Sequence, residues 1–330
     1  MQRTPTVVDV ATAAQVSRQT VSNVLNSPDI VRPATRERVE RAIAELGYRP
    51  NAAARRLRTQ RSSTLGIRLD HEQNGISGVV LDRFLHALVE AADARRFRVL
   101  LFTADSPEDE IAQIEALIEG ADADGFVITA TAENDPRLSW LHDRNVPFVS
   151  FGRPWGVPLD AWDSYPWVDI DGRAGVRGAT QHFLAAGTQR VGYLGWPTRF
   201  GQDDERRQGW VEAMDAAGTP HDDLELAVED DVDAAAAAVR TALSAGVTFE
   251  AVVCASDTLA LGARMALPAA VPVVGYDDTP VAGALGIPSV AQPLVEAARA
   301  VVDVLLGSTG HAVLPAPAGH HLLEPSVVWR

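Results

Sequence analysis

The 330-residue sequence contains no lysine: all 29 of its basic residues are arginine. A P-loop, which grips phosphate with a lysine, therefore has no candidate. A lone cysteine, Cys254, rules out an internal disulfide. No apolar run approaches the roughly 18 to 20 residues that a membrane-spanning helix requires. The opening residues MQRTPTVVDV lack the basic and apolar stretches of a secretory signal. These absences predict a cytoplasmic protein with no membrane partner. Catalytic signatures are missing too. There is no GxSxG elbow and no GxGxxG turn after a strand, and His71-Glu72 is followed by Gln-Asn-Gly, which is not the spacing of a zinc-binding HExxH. The scattered Asp and His residues show no spacing that implies catalysis, so neither enzymatic activity, a cofactor nor a metal is expected. What is present is ordinary for a globular chain. Hydrophobic residues make up 46% and charged residues 22%, and the length suits about two domains of roughly 150 residues each.

The formal charge of −15 would by itself argue against a nucleic-acid partner, but it is unevenly spread. Residues 1–61 carry 11 arginines against 5 carboxylates, a net +6, and the remainder carries −21. A basic arm on an acidic body is the electrostatic footprint of a small nucleic-acid module joined to a body that avoids phosphate.

Within the arm, Val7, Val10, Ala11 and Ala14 recur at helical spacing, and Ser17 can cap a second helix beginning at Arg18. That helix turns Val21, Val24 and Leu25 inward and leaves Arg18, Gln19, Ser22 and Asn23 outside. These are the side-chain types that read base edges in a major groove or hold phosphates. A third helix runs from Pro33 through Val39, Ala42, Ile43 and Leu46 to Gly47, a suitable C-terminal cap. Three short helices with one polar face predict a helix-turn-helix domain, set against the plainer reading of a three-helix module whose polar face is merely solvated.

The strings TVVDVATAAQVSRQTVSNVLN and TRERVERAIAELGYRPNAAARRLRTQRSSTLGI, spanning Thr6 to Ile67, resemble the LacI/GalR family of bacterial repressors. The resemblance implies base reading by Arg18, Gln19 and Asn23, with Ser17, Thr20 and Ser22 touching phosphate or fixing the start of the helix. One departure is Gln15, where the family usually has glycine in the turn. Asn51-Ala-Ala-Ala-Arg-Arg-Leu57-Arg58 matches the family's hinge helix and adds Asn51, Ala54, Arg56 and Leu57 to the expected DNA contacts. A helix of fewer than about 12 residues is marginal alone and should form only with a partner. Leu57 reads two ways: packed on the body or a dimer mate, or, as the resemblance favours, an apolar wedge between base steps of the minor groove with the neighbouring arginines on phosphates.

Beyond Ser63 short apolar runs alternate with amphipathic helices. The runs are Leu65–Leu69, Val99–Phe102, Phe126–Thr129, Phe148–Phe151, Val168–Ile170, Val191–Gly195, Val252–Ala255 and Val271–Tyr276. Such alternation predicts an α/β body, and some 265 residues are too many for one sheet, so two doubly wound parallel-sheet lobes are expected. The resemblance continues through ADADGFVI, VPFVSFGR, VDIDGRAG, GYLG, FEAVVCASDTLALGA and VPVVGYDD, and implies a periplasmic-binding-protein-like pair of lobes. The expected organisation is a DNA-binding domain over 1–49, a hinge over 50–62 and an effector-binding, dimerising body over 63–330. In that body the first lobe takes 63–164 and 291–322, and the second takes 165–290 and 323–330.

Ligands in such folds bind beyond the carboxyl ends of strands, which nominates Asp70, Thr103, Thr129, Arg153, Trp196, Ser256, Asp257 and Asp277. The resemblance adds Arg206 of ERRQGW and again Asp277 of VGYDD as holders of effector hydroxyls or carboxylates. Their plainer readings are a helix-surface arginine and a turn residue. The family often has Asn at Ser256, which could simply cap the following helix. Four of the seven tryptophans, Trp155, Trp162, Trp167 and Trp196, fall in one stretch. Trp155 and Trp196 each follow a strand and could stack on sugar rings, although any one of the four could equally fill a core. RPWG, PWVDIDG and LGWP also resemble an actinobacterial subgroup that senses plant oligosaccharides such as cellobiose.

The expectation is therefore a repressor, nucleoid-associated in the cytoplasm, that binds a palindromic operator as a homodimer and is released by a sugar effector. Two competing readings are a relative whose effector is a purine corepressor and a free sugar receptor with a helical N-terminus. The leucine heptads through which a family member tetramerises would follow the last strand, whereas the sequence ends at Trp329-Arg330. A dimer and no tetramer is expected.

Overall fold

The computed structural model describes residues 5–26, 28–48, 61–69, 78–155, 157–198, 200–307 and 319–330. Asn51, Ala54, Arg56 and Leu57 of the expected hinge, and Asp70, lie outside the described residues. The chain divides into two compact units, residues 1–62 and 63–330.

In the first unit, helices span Val7–Ala13, Arg18–Asn26 and Pro33–Leu46. Each start has a local cause. The Thr6 amide donates to Asp9 Oδ2 at 2.7 Å, the Thr20 amide donates to Ser17 Oγ at 3.1 Å, and Pro33 supplies a preset φ in the first turn. Gly47, in the left-handed region at φ 61°, ends the third helix with its N–H on the Ile43 and Ala44 carbonyls. Val10, Ala11, Ala14, Val21, Val24, Val39 and Ala42 form the core. Leu25, expected inside, is 37% exposed, because it lies at the margin of the stripe defined by Val21 and Val24, about 40° beyond Val21. Gln15 takes φ 52° between the first two helices. The turn thus keeps a glycine-like geometry without glycine.

The second unit contains two six-stranded sheets. The first sheet comprises β1 (Thr64–Arg68), β2 (Arg98–Phe102), β3 (Gly125–Ile128), β4 (Phe148–Phe151), β5 (Trp167–Ile170) and β11 (His320–Leu323), in the order β11-β5-β4-β3-β1-β2. The second comprises β6 (Val191–Gly195), β7 (Glu225–Ala227), β8 (Ala251–Cys254), β9 (Val273–Tyr276), β10 (Ser289–Ala291) and β12 (Ser326–Val328), in the order β12-β10-β9-β8-β6-β7. Only the β10–β12 pair is antiparallel among the described strands.

Alternation along the strands divides the first lobe's core. Leu65, Ile67, Val127 and Val149 pack with Phe84, Leu88, Ala297 and Val301 from the Gly78–Ala94 and Leu294–Leu306 helices. Phe126, Ile128 and Phe148 face the opposite side and meet Ile114, Leu138 and Leu141. In the second lobe β6, β8 and β9 are buried throughout, as expected of strands covered on both faces.

The first chain crossing corrects the sequence reading. Trp167–Ile170 pairs with β4 and β11 and so completes the first sheet, whereas the sequence reading began the second lobe at residue 165. The 3-10 turn Leu159–Ser164 precedes β5 and stays within the first lobe. The crossover follows Ile170, at Asp171, which caps the Gly172–Ala185 helix through the Ala174 amide. The other crossings fall between β10 and the Leu294–Leu306 helix and between β11 and β12.

Candidate functional site

The carboxyl ends of the parallel strands in both lobes open onto one cavity of about 280 Å³. The first lobe contributes Thr129, Thr131, Phe151, Trp155 and Asp169, and Val80 and Leu81 from the Gly78–Ala94 helix. Trp196, Gln202, Arg206 and Asp277 come from the second lobe, and Gln292 lies at a crossover. Both indoles are half-buried and come from opposite lobes.

Arg206 and Asp277 form the polar centre. Arg206, on the Gly201–Ala216 helix, is 3% exposed; its Nη1 donates to the Ala255 carbonyl, and its guanidinium lies 3.7 Å from the Tyr276 ring centroid and 5.2 Å from that of Trp196. Two aromatic faces and one carbonyl thus hold the cation in place. Its Nη2 stands 3.9 Å from Asp277 Oδ1, too far for a hydrogen bond. Asp277 Oδ1 accepts from Gln292 Nε2 at 2.7 Å. Burial pushes the Asp277 carboxyl up to about 6; the Arg206 charge and the Gln292 bond oppose this, and the nearby Asp257 adds to it. Among the described residues, Thr129 Oγ1, Arg206 Nε and Tyr276 Oη are buried without a hydrogen-bond partner. Thr129 and Arg206 both line the cavity.

Asp277 and Asp278 take φ 104° and 48°, conformations that non-glycine residues rarely adopt. The Asp277 amide donates to the Val290 carbonyl at 2.8 Å and the Asp278 amide to Ser289 Oγ at 2.9 Å, which fixes the turn.

Of the residues nominated from sequence, Thr129, Trp155, Trp196, Arg206 and Asp277 line the cavity. Arg153 and Ser256 do not, and both are engaged by neighbouring residues of the protein. Arg153 Nε donates to Asp169 Oδ2 at 2.7 Å, its Nη2 reaches Glu205 Oε2 at 3.0 Å, and its guanidinium lies 4.5 Å from the Trp155 ring centroid. Ser256 is fully buried and caps the Asp257–Ala266 helix, with its Oγ accepting from the Leu259 amide at 3.1 Å and bonding to Asp230. Asp257 is structural, accepting from the Thr279 amide at 2.7 Å and from Ser289 Oγ at 2.6 Å. Thr103 lies exposed beyond the edge strand β2. Trp162 and Trp167 stand behind the cavity, where Trp155, Trp162 and Trp167 form a chain of edge-on contacts with centroids 5.9 and 6.1 Å apart.

Asp169, Gln202 and Gln292 were missed. Asp169 sits inside β5, where a rule about strand ends does not look. Gln292 directly follows β10, whose three residues are too few to register as a strand.

On the first unit, Ser17, Arg18 and Gln19 are exposed and Thr20, Ser22 and Asn23 half-buried along the Arg18–Asn26 helix. Gln19 Nε2 donates to Asn23 Oδ1 at 2.9 Å, and the Ser17 and Thr20 hydroxyls lie 2.9 Å apart. The Gln19–Asn23 bond spans one helical turn and orders two amides as a pair.

Residues 6–51 match the family described as bacterial regulatory proteins of the lacI family, and residues 81–283 match the periplasmic binding proteins and sugar binding domain of the LacI family. The chain is 36% identical to the HTH-type transcriptional regulator CelR of Thermobifida fusca, over 98% of this chain and 99% of the relative. A solved CelR–cellobiose complex is 32% identical over 98% of each chain, with a TM-score of 0.69. The Lac repressor dimer bound to operator and the anti-inducer ONPF, at 24% identity and a TM-score of 0.79 over 99% of this chain and 98% of that one, shares the fold.

Proposed function

This chain belongs to the LacI family of bacterial regulatory proteins, and we propose that it acts there as a sequence-specific transcriptional repressor. In this reading it binds a palindromic operator as a dimer and is released by a small sugar held between the lobes, a plant-derived oligosaccharide of the cellobiose type. The DNA contacts are Ser17, Arg18, Gln19, Thr20, Ser22 and Asn23, together with Asn51, Ala54, Arg56 and Leu57 of the hinge. The effector contacts are Thr129, Trp155, Trp196, Arg206 and Asp277, joined by Asp169 and Gln292.

One observation carries the sugar reading: the cavity pairs an indole from each lobe with a buried guanidinium and carboxylate 3.9 Å apart. A sugar hydroxyl between Arg206 Nη2 and Asp277 Oδ1 can accept from the first and donate to the second. The apolar faces of the same ring suit the indoles. Because Arg206 and Asp277 belong to one lobe and Trp155 to the other, such a ligand binds the two lobe arrangements unequally. Only unequal binding can shift an equilibrium between DNA-bound and free states.

The test is titration of a labelled operator complex with cellobiose. The wild type is expected to dissociate, and Asp277→Ala and Arg206→Ala to stay bound at concentrations that release it. Unchanged release by both variants would eliminate this pocket. Tighter DNA binding on sugar addition would reverse the sign of the mechanism, and a response to hypoxanthine instead would favour a purine corepressor.

A further inference from the structure

The Asp277–Asp278 turn is held from inside its own lobe by the Val290 carbonyl and Ser289 Oγ, and by an ion pair between Asp278 and Arg330. Those contacts occupy its amides and the Asp278 carboxylate. Its two carbonyls are engaged from the other lobe. Arg83, on the first-lobe Gly78–Ala94 helix, donates through Nη1 to the Asp277 carbonyl at 3.3 Å and the Asp278 carbonyl at 3.1 Å. The same helix carries Val80, one turn earlier, into the cavity wall.

Two non-glycine residues at positive φ need more than one clamp, since such conformations persist only where the surroundings over-determine them. Arg83 can supply its clamp only while the lobes stand this close. A second arginine ties the lobes elsewhere along the cleft, Arg153 to Glu205, but there both partners are charged side chains. The Arg83 acceptors are backbone carbonyls of the very residues that aim the Asp277 carboxylate.

We propose that Arg83 is a positioning residue that links lobe closure to the geometry of Asp277. With the lobes together, the tie holds the strained turn and its carboxylate opposite Arg206. With the lobes apart, the tie breaks and the turn loses the clamp. The tie is independent of the ligand's identity; its effect on effector affinity rests on the reading of the cleft given above.

The experiment measures inter-lobe distance in the full chain by pulsed electron paramagnetic resonance. Spin labels are placed at Glu108→Cys and Ala237→Cys, both exposed and one in each lobe. Cys254 is fully buried, which keeps labelling at the two new positions. Without any ligand, Arg83→Met is expected to lengthen and broaden the distance distribution, and Arg83→Lys to restore it in part. A distribution for Arg83→Met that coincides with the parent overturns the proposal. Arg83 is exposed, so loss of the fold is not the expected route to a change, and matched circular dichroism of both variants checks this. In a second arm cellobiose is titrated calorimetrically, and Arg83→Met is expected to bind about tenfold more weakly. Equal cellobiose affinity in the variant also overturns the proposed link. Should the parent bind no cellobiose, the ligand reading fails while the distances still decide the tie.

Discussion

Single backbone angles and single charges set two of this protein's properties. Gln15 occupies φ 52° in the turn of the helix-turn-helix, where a side chain is penalised by about 1–2 kcal/mol relative to glycine. Gln15→Gly should therefore stabilise the first unit by about 0.5–1 kcal/mol, net of the greater freedom of glycine in the unfolded chain. Chemical denaturation followed by a probe confined to that unit reads the change. At Asp277 the relevant quantity is the carboxyl pushed up to about 6 from its ordinary 3.8. A raised value means that ionisation costs more in the folded protein than in the unfolded one. Its contribution to stability is therefore full below the ordinary value and is lost as the pH rises through about 6. A sugar hydroxyl donates more strongly to the ionised carboxylate than to the neutral acid, so effector affinity should run the other way. It should rise between pH 5 and pH 7, by up to about tenfold per unit below the midpoint, and Asp277→Asn should flatten that dependence. Calorimetric titrations across that range check both statements.

At the scale of elements, the packing of two helices determines where Arg206 lies. The Gly201–Ala216 helix crosses the Gly172–Ala185 helix so closely that a Cβ at Gly209 would stand 2.2 Å from the Arg173 carbonyl. Gly209→Ala must push the helices apart, at a cost of about 1–3 kcal/mol or somewhat more, and should weaken effector binding because Gln202 and Arg206 ride on the displaced helix. A lowered melting temperature together with weaker sugar binding is expected; an unchanged melting temperature would contradict the packing. The same scale separates what was legible in the sequence from what was not. Buried parallel strands such as Val191–Gly195 announce themselves as unbroken apolar runs, and Ser17, Pro33 and Gly47 punctuate the small helices. The short strands Glu225–Ala227 and Ser289–Ala291 carry too few residues to show a period, and His320–Leu323 is mostly exposed. The site was legible where a residue directly follows a long strand, as at Trp196 and Asp277. A strand-end rule gives location but not partners. It could not tell that Arg153 is engaged by Asp169 and Glu205, or that Ser256 is spent on a helix cap.

For the whole molecule, two-fold operators ask for two-fold proteins, since one helix-turn-helix buries too little DNA surface to be specific. Val281 and Leu285 on the Pro280–Leu285 helix and Leu101 on edge strand β2 are 37%, 56% and 50% exposed, apolar surface that a second copy could cover. Sedimentation with operator DNA should give two chains per site; a monomer or a stable tetramer on DNA would refute the dimer. The three crossings between lobes carry a different consequence, one that concerns how the chain is made. Each sheet waits for a strand that follows all its others along the chain: β11 seals one edge of the first and β12 one edge of the second. During synthesis the ribosome cannot release a finished first lobe and then begin a second, because each remains open at one edge until β11 and β12 have emerged from the exit tunnel. A nascent chain therefore has a basic DNA-binding head long before it has a body that can answer to an effector.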